Sequence, residues 1–230
     1  MNITGPTIHY VTTTSTQAEA KAVLDGVHWT TNQTEGRGRF DRVWYSEPGN
    51  SLAVSICFPS LKGHPKPFLI GMSIALKLAE TFDLKLQWPN DLLVGKHKVA
   101  GILTEVVNGV PIVGIGLNVG PMRFPEEIAH RATSLANAGR DVQDPARVCD
   151  AIIEAINSIS AIPENWSELK SRWMERDMTE GKLFRTQDDQ VGIAIGISDE
   201  GELLWNSRGE FRIVSAADAL WGPDTEKKEA

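Results

Sequence analysis

The spacing of apolar residues changes between residues 51 and 119, and this change constrains the fold more than any other feature of the chain. Short β-rich runs flank a segment, residues 68–82, in which apolar side chains recur with helical spacing. Asn108-Gly109 separates two of the runs and is a strong signal for a two-residue hairpin turn. The pattern therefore predicts short strands on both sides of one buried helix.

The remaining strands and helices are predicted from the alternation of apolar and polar residues and from residues that are typical of helix starts. Thr16-Gln17-Ala18-Glu19 matches a capping box and predicts a helix to about residue 24. Asp144-Pro145 supplies an N-cap and a first-turn proline, and a later helix at about 164–176 carries Trp166 and Trp173 as core residues. Strands are predicted at 7–11, 27–31, 51–58, 84–88, 92–94, 99–107 and 112–119.

The pattern changes again after Gly181, where short alternating strands follow at 190–197, 202–205 and 210–214. These strands are typical of a small β-barrel. A chain of 230 residues has room for one substantial core and such a module. We therefore predict a first domain over residues 1–179, a second over 180–222, and a disordered polar tail over 223–230.

The composition of the chain indicates which partners the protein can bind and where in the cell it is located. A net charge of −7 argues against general nucleic-acid binding, which usually requires a basic surface. Only two cysteines occur, Cys57 and Cys149, so neither a disulfide framework nor a zinc-type spacing is present, and both are expected to be reduced core thiols. The N-terminus lacks a secretion signal, and no apolar run reaches the roughly 20 residues needed to span a bilayer. We expect a cytoplasmic protein without a membrane partner.

Residues 33–44, called the basic loop below, place three arginines, two glycines and a tryptophan in one segment of an acidic chain. Arginine offers a planar charged fork for phosphate or carboxylate oxygens, and glycine allows a sharp turn and close approach of the backbone. The segment therefore predicts an anion site on a long loop. From this segment alone, a solvated surface turn or a nucleic-acid patch stays open as an alternative.

Two further clusters follow. Trp88-Pro89-Asn90-Asp91, called the WPND turn below, precedes Lys98, Gly101 and Glu105, and on its own it is equally compatible with an ordinary tight turn and hairpin. The glycines of Gly114-Ile115-Gly116-Leu117-Asn118-Val119-Gly120 suggest that a group packs closely against a strand backbone. This cluster lacks the G-x-G-x-x-G spacing, and the chain has no G-x-x-x-x-G-K-[ST] loop, so neither a Rossmann site nor a P-loop is expected.

Together these segments resemble the catalytic domain of class I biotin protein ligases, also called biotin–acetyl-CoA-carboxylase ligases, over about residues 14–135. The family pattern Q-T-x-G-R-G-R-x-G-R-x-W-x-S corresponds to residues 33–46, W-P-N-D followed by K-x-x-G-I-L-x-E to 88–105, and G-I-G-x-N-V to 114–119. Ala132-Thr133-Ser134-Leu135 matches a fourth family segment. The resemblance implies an α+β fold: a mixed sheet flanked by helices, like a class II aminoacyl-tRNA synthetase catalytic domain, followed by a small SH3-like β-barrel.

The resemblance also implies an activity, the ligation of biotin to a lysine of a biotin carboxyl carrier domain through biotinyl-5′-AMP, with ATP and Mg²⁺. The implied catalytic residues are Lys98, Arg37 and Asp91, of which Asp91 would face the lysine amine. The implied biotin contacts are Ser15, Thr16, Gln17, Gln33, Gly36, Arg37, Gly38, Arg39, Lys98 and Gly101. The implied ATP and adenylate contacts are Arg37, Arg39, Arg42, Trp44, Lys98 and Asn118. Protein ligands for the metal are not identified, and a homodimer stays open because relatives often pair through this domain.

Three residues depart from the family pattern. Gln17 stands where asparagine is usual, which is a conservative change. Gln87 replaces the usual lysine before Trp88 and removes one cation beside the expected site. Asp41 takes a glycine position in the basic loop, which should alter the loop's flexibility and the retention of the adenylate more than its formation.

Two other functions stay open. Lipoate and octanoate transferases share the catalytic fold, but they usually carry R-R-x-x-G-G-G-x-V-x-H, which this chain lacks. A non-enzymatic biotin sensor is disfavoured by intact Lys98, Asp91 and Asn118. Because the catalytic pattern begins close to Met1, we expect no DNA-binding helix-turn-helix domain and no operator binding.

Overall fold

The computed structural model describes residues 1–141, 144–186 and 190–216, and the backbone of residues 219–220. Its helices are α1 (Thr16–Val23), α2 (Pro67–Thr81), α3 (Glu126–Ala129), α4 (Pro145–Asn157) and α5 (Ser167–Met174). Its strands are β1 (Thr7–His9), β2 (Val27–Thr30), β3 (Ser51–Cys57), β4 (Lys85–Gln87), β5 (Asp91–Val94), β6 (His97–Val107), β7 (Val110–Asn118), β8 (Leu183–Thr186), β9 (Val191–Ile197), β10 (Leu203–Ser207), β11 (Glu210–Val214) and β12 (Ala219–Leu220).

Seven strands form a first sheet in the order β1-β2-β3-β7-β6-β5-β4. This sheet is mixed, because β1 and β2 run parallel while every other neighbouring pair is antiparallel. Val107 pairs with Val110, which leaves Asn108 and Gly109 as a two-residue loop with φ of 51° and 81°. Positive φ at both positions is what such a hairpin turn requires, and the predicted hairpin is confirmed.

Helix α2 supplies the centre of the core. It begins with Pro67 in its first turn, and its apolar residues from Leu69 to Ala79 are almost all buried against β6 and α4. Burial all round the helix, rather than on one face, is the reason for its continuous apolar run. The predicted buried helix is therefore confirmed.

The predicted capping box at the start of α1 is wrong. Ser15 occupies the N-cap position, and its side chain makes no capping hydrogen bond. The Thr16 hydroxyl lies instead 2.9 Å from Ser55 Oγ, and Glu19 accepts a hydrogen bond of 2.6 Å from Thr13 Oγ1. Both side chains therefore bind partners outside the helix instead of capping its first turn. In contrast, the predicted cap of α4 is confirmed, since Asp144 accepts from the backbone N–H of Ala146 at 2.8 Å.

Five strands form a second, antiparallel sheet in the order β11-β10-β9-β8-β12. Strands β9, β10 and β11 lie close to their predicted positions, whereas β8 and β12 were not predicted. The indole N–H of Trp88 donates to the carbonyl of Gly201 at 2.9 Å, and its ring packs edge-on against Phe184. These contacts connect the WPND turn directly to the second sheet. The predicted disordered tail, residues 223–230, lies outside the described residues.

The described residues bear on two further expectations. Cys57 and Cys149 are free and buried, and burial raises the pKa of their thiols to about 11 and about 12 respectively. Both thiols therefore stay protonated near neutral pH, as expected for unreactive core residues. None of the helices in this part of the chain combines the length and apolar character needed to cross a membrane.

Candidate active site

A cavity of about 540 Å³ lies between the first sheet, the basic loop and the WPND turn. Every residue that the sequence assigned to the site, with the exception of Gly36, lines this cavity: Ser15, Thr16, Gln17, Gln33, Arg37, Gly38, Arg39, Arg42, Trp44, Asp91, Lys98, Gly101 and Asn118. Gly36 lies behind Gln33 and Trp44, where an added Cβ would come within 2.6 Å of Gln33 Nε2. The fold thus gathers residues from separate motifs around one space.

The basic loop forms a small hairpin over the cavity. Trp44 donates its backbone N–H to the carbonyl of Gly36, and Gly38 donates to that of Arg42, both at 2.8 Å. A 3-10 turn, Arg39–Asp41, closes the hairpin. Pairing of the loop's own backbone directs its arginines towards the cavity that they line.

The backbone at Asp41 explains how the basic loop accommodates aspartate where the family pattern has glycine. Phe40 and Asp41 have φ of 57° and 55°, in the left-handed region where glycine is favoured and aspartate is among the tolerated residues. The Asp41 carboxylate also lies 3.7 Å from Arg37 Nη1. Aspartate is therefore compatible with the left-handed backbone at this position, and it adds a weak exposed ion pair.

Arg39 connects the basic loop with two other parts of the site. Its guanidinium donates to Asn90 Oδ1 at 3.4 Å and to the carbonyl of Ala216, which follows β11. Burial lowers the pKa of Arg39; the Asp91 carboxylate opposes this shift and Arg42 adds to it. The loop is thus held against both the WPND turn and the second sheet.

Lys98 is held between two other residues of the site. Its Nζ lies 2.5 Å from Asp91 Oδ1 and 5.4 Å from the centre of the Trp44 ring. Its backbone is fixed on both sides, because Lys98 N–H donates to the carbonyl of Arg131 and its own carbonyl accepts from Thr133. An ammonium group held between a carboxylate and an aromatic face can exchange the carboxylate for an anionic ligand.

The glycines of β6 and β7 leave room for the Trp44 side chain. A Cβ at Gly116 would lie 2.5 Å from Trp44 Cε2, and one at Gly101 would lie 3.3 Å from Trp44 Cζ3. Any larger residue would push the indole off the sheet. The expectation that a group packs closely against this backbone is confirmed, and the group is the indole of Trp44.

The α1 end of the cavity is a network of polar side chains. Gln33 Oε1 accepts from the Thr16 backbone N–H at 3.0 Å, and Ser55 Oγ donates to Gln17 Oε1 at 2.8 Å. The Gln17 amide nitrogen donates to Glu105 at 2.9 Å. Ser55 was not among the predicted site residues, because it lies inside an apolar strand whose sequence signals only burial.

Asn118 lines the cavity and carries an unsatisfied hydrogen-bond acceptor. Its side chain is 4% exposed, and its Nδ2 donates to the carbonyl of Thr133 at 3.0 Å. No hydrogen-bond donor in the described part of the chain reaches its Oδ1. A buried acceptor without a partner costs free energy, so this oxygen is suited to a ligand that carries a donor.

Sequence reasoning also missed residues on the far wall of the cavity. Phe124, Ile128 and Arg131 line it from the segment around α3, which no motif marks. Gln87, where the family pattern has lysine, is buried and lines the cavity as well. The departure therefore changes the charge of the site itself.

Comparisons with known proteins identify the family of the chain. A model of the biotin/lipoate A/B protein ligase family matches residues 9–121. The bifunctional ligase/repressor BirA of Bacillus subtilis is 31% identical over 209 residues, which cover 83% of this chain and 64% of BirA, so the chain spans just under two thirds of that relative. A biotin–acetyl-CoA-carboxylase ligase of Mycobacterium tuberculosis is 30% identical over 223 residues, covering 89% of this chain and 82% of the relative.

Among solved structures, the biotin protein ligase of Aquifex aeolicus in complex with biotin and ATP has a TM-score of 0.76 and 26% identity, covering 93% of this chain and 97% of that chain. The chain therefore belongs to the biotin/lipoate A/B protein ligase family. The resemblance to biotin protein ligases that the sequence indicated is confirmed, as is a mixed α+β fold with a large mixed sheet and a second antiparallel sheet.

Proposed function

We propose that the protein is a biotin protein ligase, which activates biotin with ATP as biotinyl-5′-AMP and transfers it to a lysine of a biotin carboxyl carrier domain. One observation carries the proposal: a single cavity joins a polar network at α1 to a group of cations around Lys98. Such a cavity suits a ligand with a polar head at one end and an anionic group at the other. The names of the relatives and the biotin and ATP bound to the Aquifex aeolicus enzyme support the choice of ligand.

The first half-reaction joins two anions. A carboxylate oxygen of biotin attacks the α-phosphorus of ATP, and the bond to the β-phosphate oxygen breaks to release pyrophosphate. A cation about 4 Å from a phosphate offsets on the order of 4 kcal/mol of the repulsion at an effective dielectric near 20. Lys98, Arg37 and Arg42 supply this charge, and Lys98 exchanges Asp91 for the ligand oxygens.

The two ends of the adenylate are held by different elements. Ser15, Thr16, Gln17 and Gln33 bind the ureido group of biotin at α1. The free Oδ1 of Asn118 accepts from the amino group of adenine, and Trp44 lies against the ligand rings. The basic loop, including Gly38 and Arg39, covers the mixed anhydride and excludes the water that would hydrolyse it.

The second half-reaction needs a neutral amine. The acceptor lysine attacks the acyl carbon of biotinyl-5′-AMP, the acyl–oxygen bond breaks, and AMP leaves. Asp91, released from Lys98, orients the amine and assists the loss of its proton.

Several finer features belong to the same proposal. Residues 1–179 form a catalytic domain related to class II aminoacyl-tRNA synthetases, and residues 180–222 form an SH3-like module. Mg²⁺ enters with ATP, since Mg²⁺ is commonly bound by substrate phosphates, water and one or two carboxylates. A cytoplasmic location, a homodimer and the absence of DNA binding stay predictions.

The activity is tested by incubating the purified protein with biotin, ATP and an isolated biotin carboxyl carrier domain. Intact-mass measurement should show one biotinyl group on the carrier, and a carrier whose acceptor lysine is replaced by arginine should stay unmodified. Modification with lipoate but not with biotin would select a lipoate ligase. Binding of biotin without transfer or pyrophosphate release would select a biotin sensor.

A further inference from the structure

A chain of hydrogen bonds leads from the protein surface to the α1 end of the cavity. Lys21 Nζ donates to Glu105 Oε1 at 2.8 Å, and Gln17 Nε2 donates to Glu105 Oε2 at 2.9 Å. Ser55 Oγ donates to Gln17 Oε1 at 2.8 Å and lies 2.9 Å from Thr16 Oγ1. Glu105 and Lys21 are not among the residues that line the cavity, so they act on a ligand only through this chain.

The direction of every hydrogen bond in the chain follows from Glu105. A carboxylate only accepts, so the Gln17 amide must turn its nitrogen to Glu105 and its oxygen to Ser55. The one hydroxyl hydrogen of Ser55 then goes to Gln17, and Thr16 must donate its own hydrogen to Ser55. Thr16 Oγ1 keeps only lone pairs for the cavity.

Burial and packing keep this order in place. Thr16 and Ser55 are 2% and 1% exposed, and Gln17 is 8% exposed, which leaves little access for water that would reorder the hydrogens. A Cβ at Gly114 would lie 2.7 Å from Gln17 Oε1, so the glycine provides the space for this amide oxygen. The alternative acceptor for the Thr16 hydroxyl is Gln33 Oε1 at 3.4 Å, and this contact would commit the same hydrogen within the protein.

We propose that Glu105 is a positioning residue that sets the hydrogen-bond polarity of the biotin pocket. Through Gln17 and Ser55 it makes Thr16 Oγ1 an acceptor, which selects a ligand with an N–H donor at this point, such as a ureido group. Gln17, which replaces the family's asparagine, is the link that reaches Glu105. The inference rests on the proposed function, because it takes biotin as the ligand.

The substitution Glu105→Gln tests this role at nearly constant size. Lys21 holds the new carbonyl oxygen, so the new amide group faces Gln17 and donates to it. Gln17, Ser55 and Thr16 then reverse in turn. The Thr16 hydroxyl now accepts from Ser55, and its hydrogen either points at the N–H of the ligand or turns to Gln33 Oε1 over the long distance of 3.4 Å, so Thr16 Oγ1 becomes a weaker acceptor for the ligand in both cases. We expect the biotin dissociation constant to rise roughly 10- to 100-fold, as for a buried polar contact left unmade. The ATP KM, kcat at saturating biotin and the unfolding midpoint should stay close to wild type.

Lys21→Met is the matched control. It leaves Glu105 to accept from Gln17, so the polarity and the biotin affinity should be unchanged. In the double variant Glu105→Gln/Lys21→Met, the new amide is free to turn its oxygen towards Gln17, and most of the lost affinity should return. A merely structural role for Glu105 predicts no such recovery.

Calorimetric titration of biotin into the four proteins separates the outcomes. Wild-type protein that fails to bind biotin refutes the proposed function. Wild-type binding together with unchanged affinity in Glu105→Gln overturns the positioning role alone. A double variant as weak as Glu105→Gln also overturns it, whereas recovery in the double variant supports it.

Discussion

Lys98 is the residue on which the proposed adenylation depends most. It is the ammonium group held at 2.5 Å from Asp91 within the cavity. In the proposed mechanism, its removal takes away one of the three cations that offset the repulsion between the joined anions. We expect Lys98→Ala to lower adenylate formation by about 10²-fold or more. Trapping of biotinyl-5′-AMP by chromatography measures this, with Lys85→Ala at an exposed position of β4 as the control. Normal yield from a folded Lys98→Ala protein would remove Lys98 from the mechanism.

In the proposed mechanism, Asp91 acts in the second half-reaction, so its substitution should affect the two half-reactions differently. In Asp91→Asn the side chain keeps its size but loses the charge that would orient the acceptor amine and assist its deprotonation. Transfer from preformed adenylate to the carrier domain should therefore fall roughly 10- to 100-fold more than adenylate formation. Single-turnover measurements of each step make the comparison. Equal losses in both steps would contradict the assignment.

At the scale of elements, β7 and the basic loop are coupled through Gly116 and Trp44. Gly116→Ala places a methyl group where the indole lies, so it should weaken substrate binding in the wild-type background. In Trp44→Ala the space is empty, and the same substitution should cost little. A double-mutant cycle on kcat/KM should give a coupling of about 1–3 kcal/mol. Additive effects would show that the indole does not pack there.

The contribution of Asp177, which follows α5, to the stability of the fold should depend on pH. Asp177 accepts from Thr179 Oγ1, which in turn accepts from the Trp88 backbone N–H, and burial raises the Asp177 pKa despite the opposing hydrogen bonds. A raised native pKa means that the folded state binds this proton more tightly than the unfolded chain. Asp177 therefore contributes less stability as the pH rises above about 4, the value for an unperturbed aspartate.

Comparison with Asp177→Asn isolates this contribution. The free energy of unfolding of the wild type, relative to the variant, should decrease as the pH rises from about 4 through the raised pKa of Asp177. Urea denaturation at several pH values gives the difference. A difference that is constant, or that increases with pH, would contradict the raised pKa.

Turns and helix caps that depend only on residues close in the sequence were predictable from the sequence. Asn108-Gly109 and the Asp144 cap depend on the backbone within a few residues, and both occur as expected. Thr16 was misassigned because its partner, Ser55, lies 39 residues away along the chain. Local patterns carry no information about which strand will lie beside a helix start.

The same limit applies to the site in the whole molecule. Residues within the motifs line one cavity, but Ser55 and Arg131 enter it only through strand pairing and through the path of the chain after β7. Contacts between the two sheets, made by Trp88 to Gly201 and by Arg39 to Ala216, were also not foreseen. They depend on where the second sheet packs, which no spacing in the sequence encodes.

For the whole molecule, the central claim is that biotin and ATP bind in one cavity and react there to form biotinyl-5′-AMP. Exchange of labelled pyrophosphate into ATP tests it most directly, because exchange reports reversible adenylate formation without a carrier protein. We expect exchange that requires biotin, is not supported by lipoate and is lost in Lys98→Ala. Wild-type protein that binds biotin and ATP but shows no biotin-dependent exchange would contradict the account.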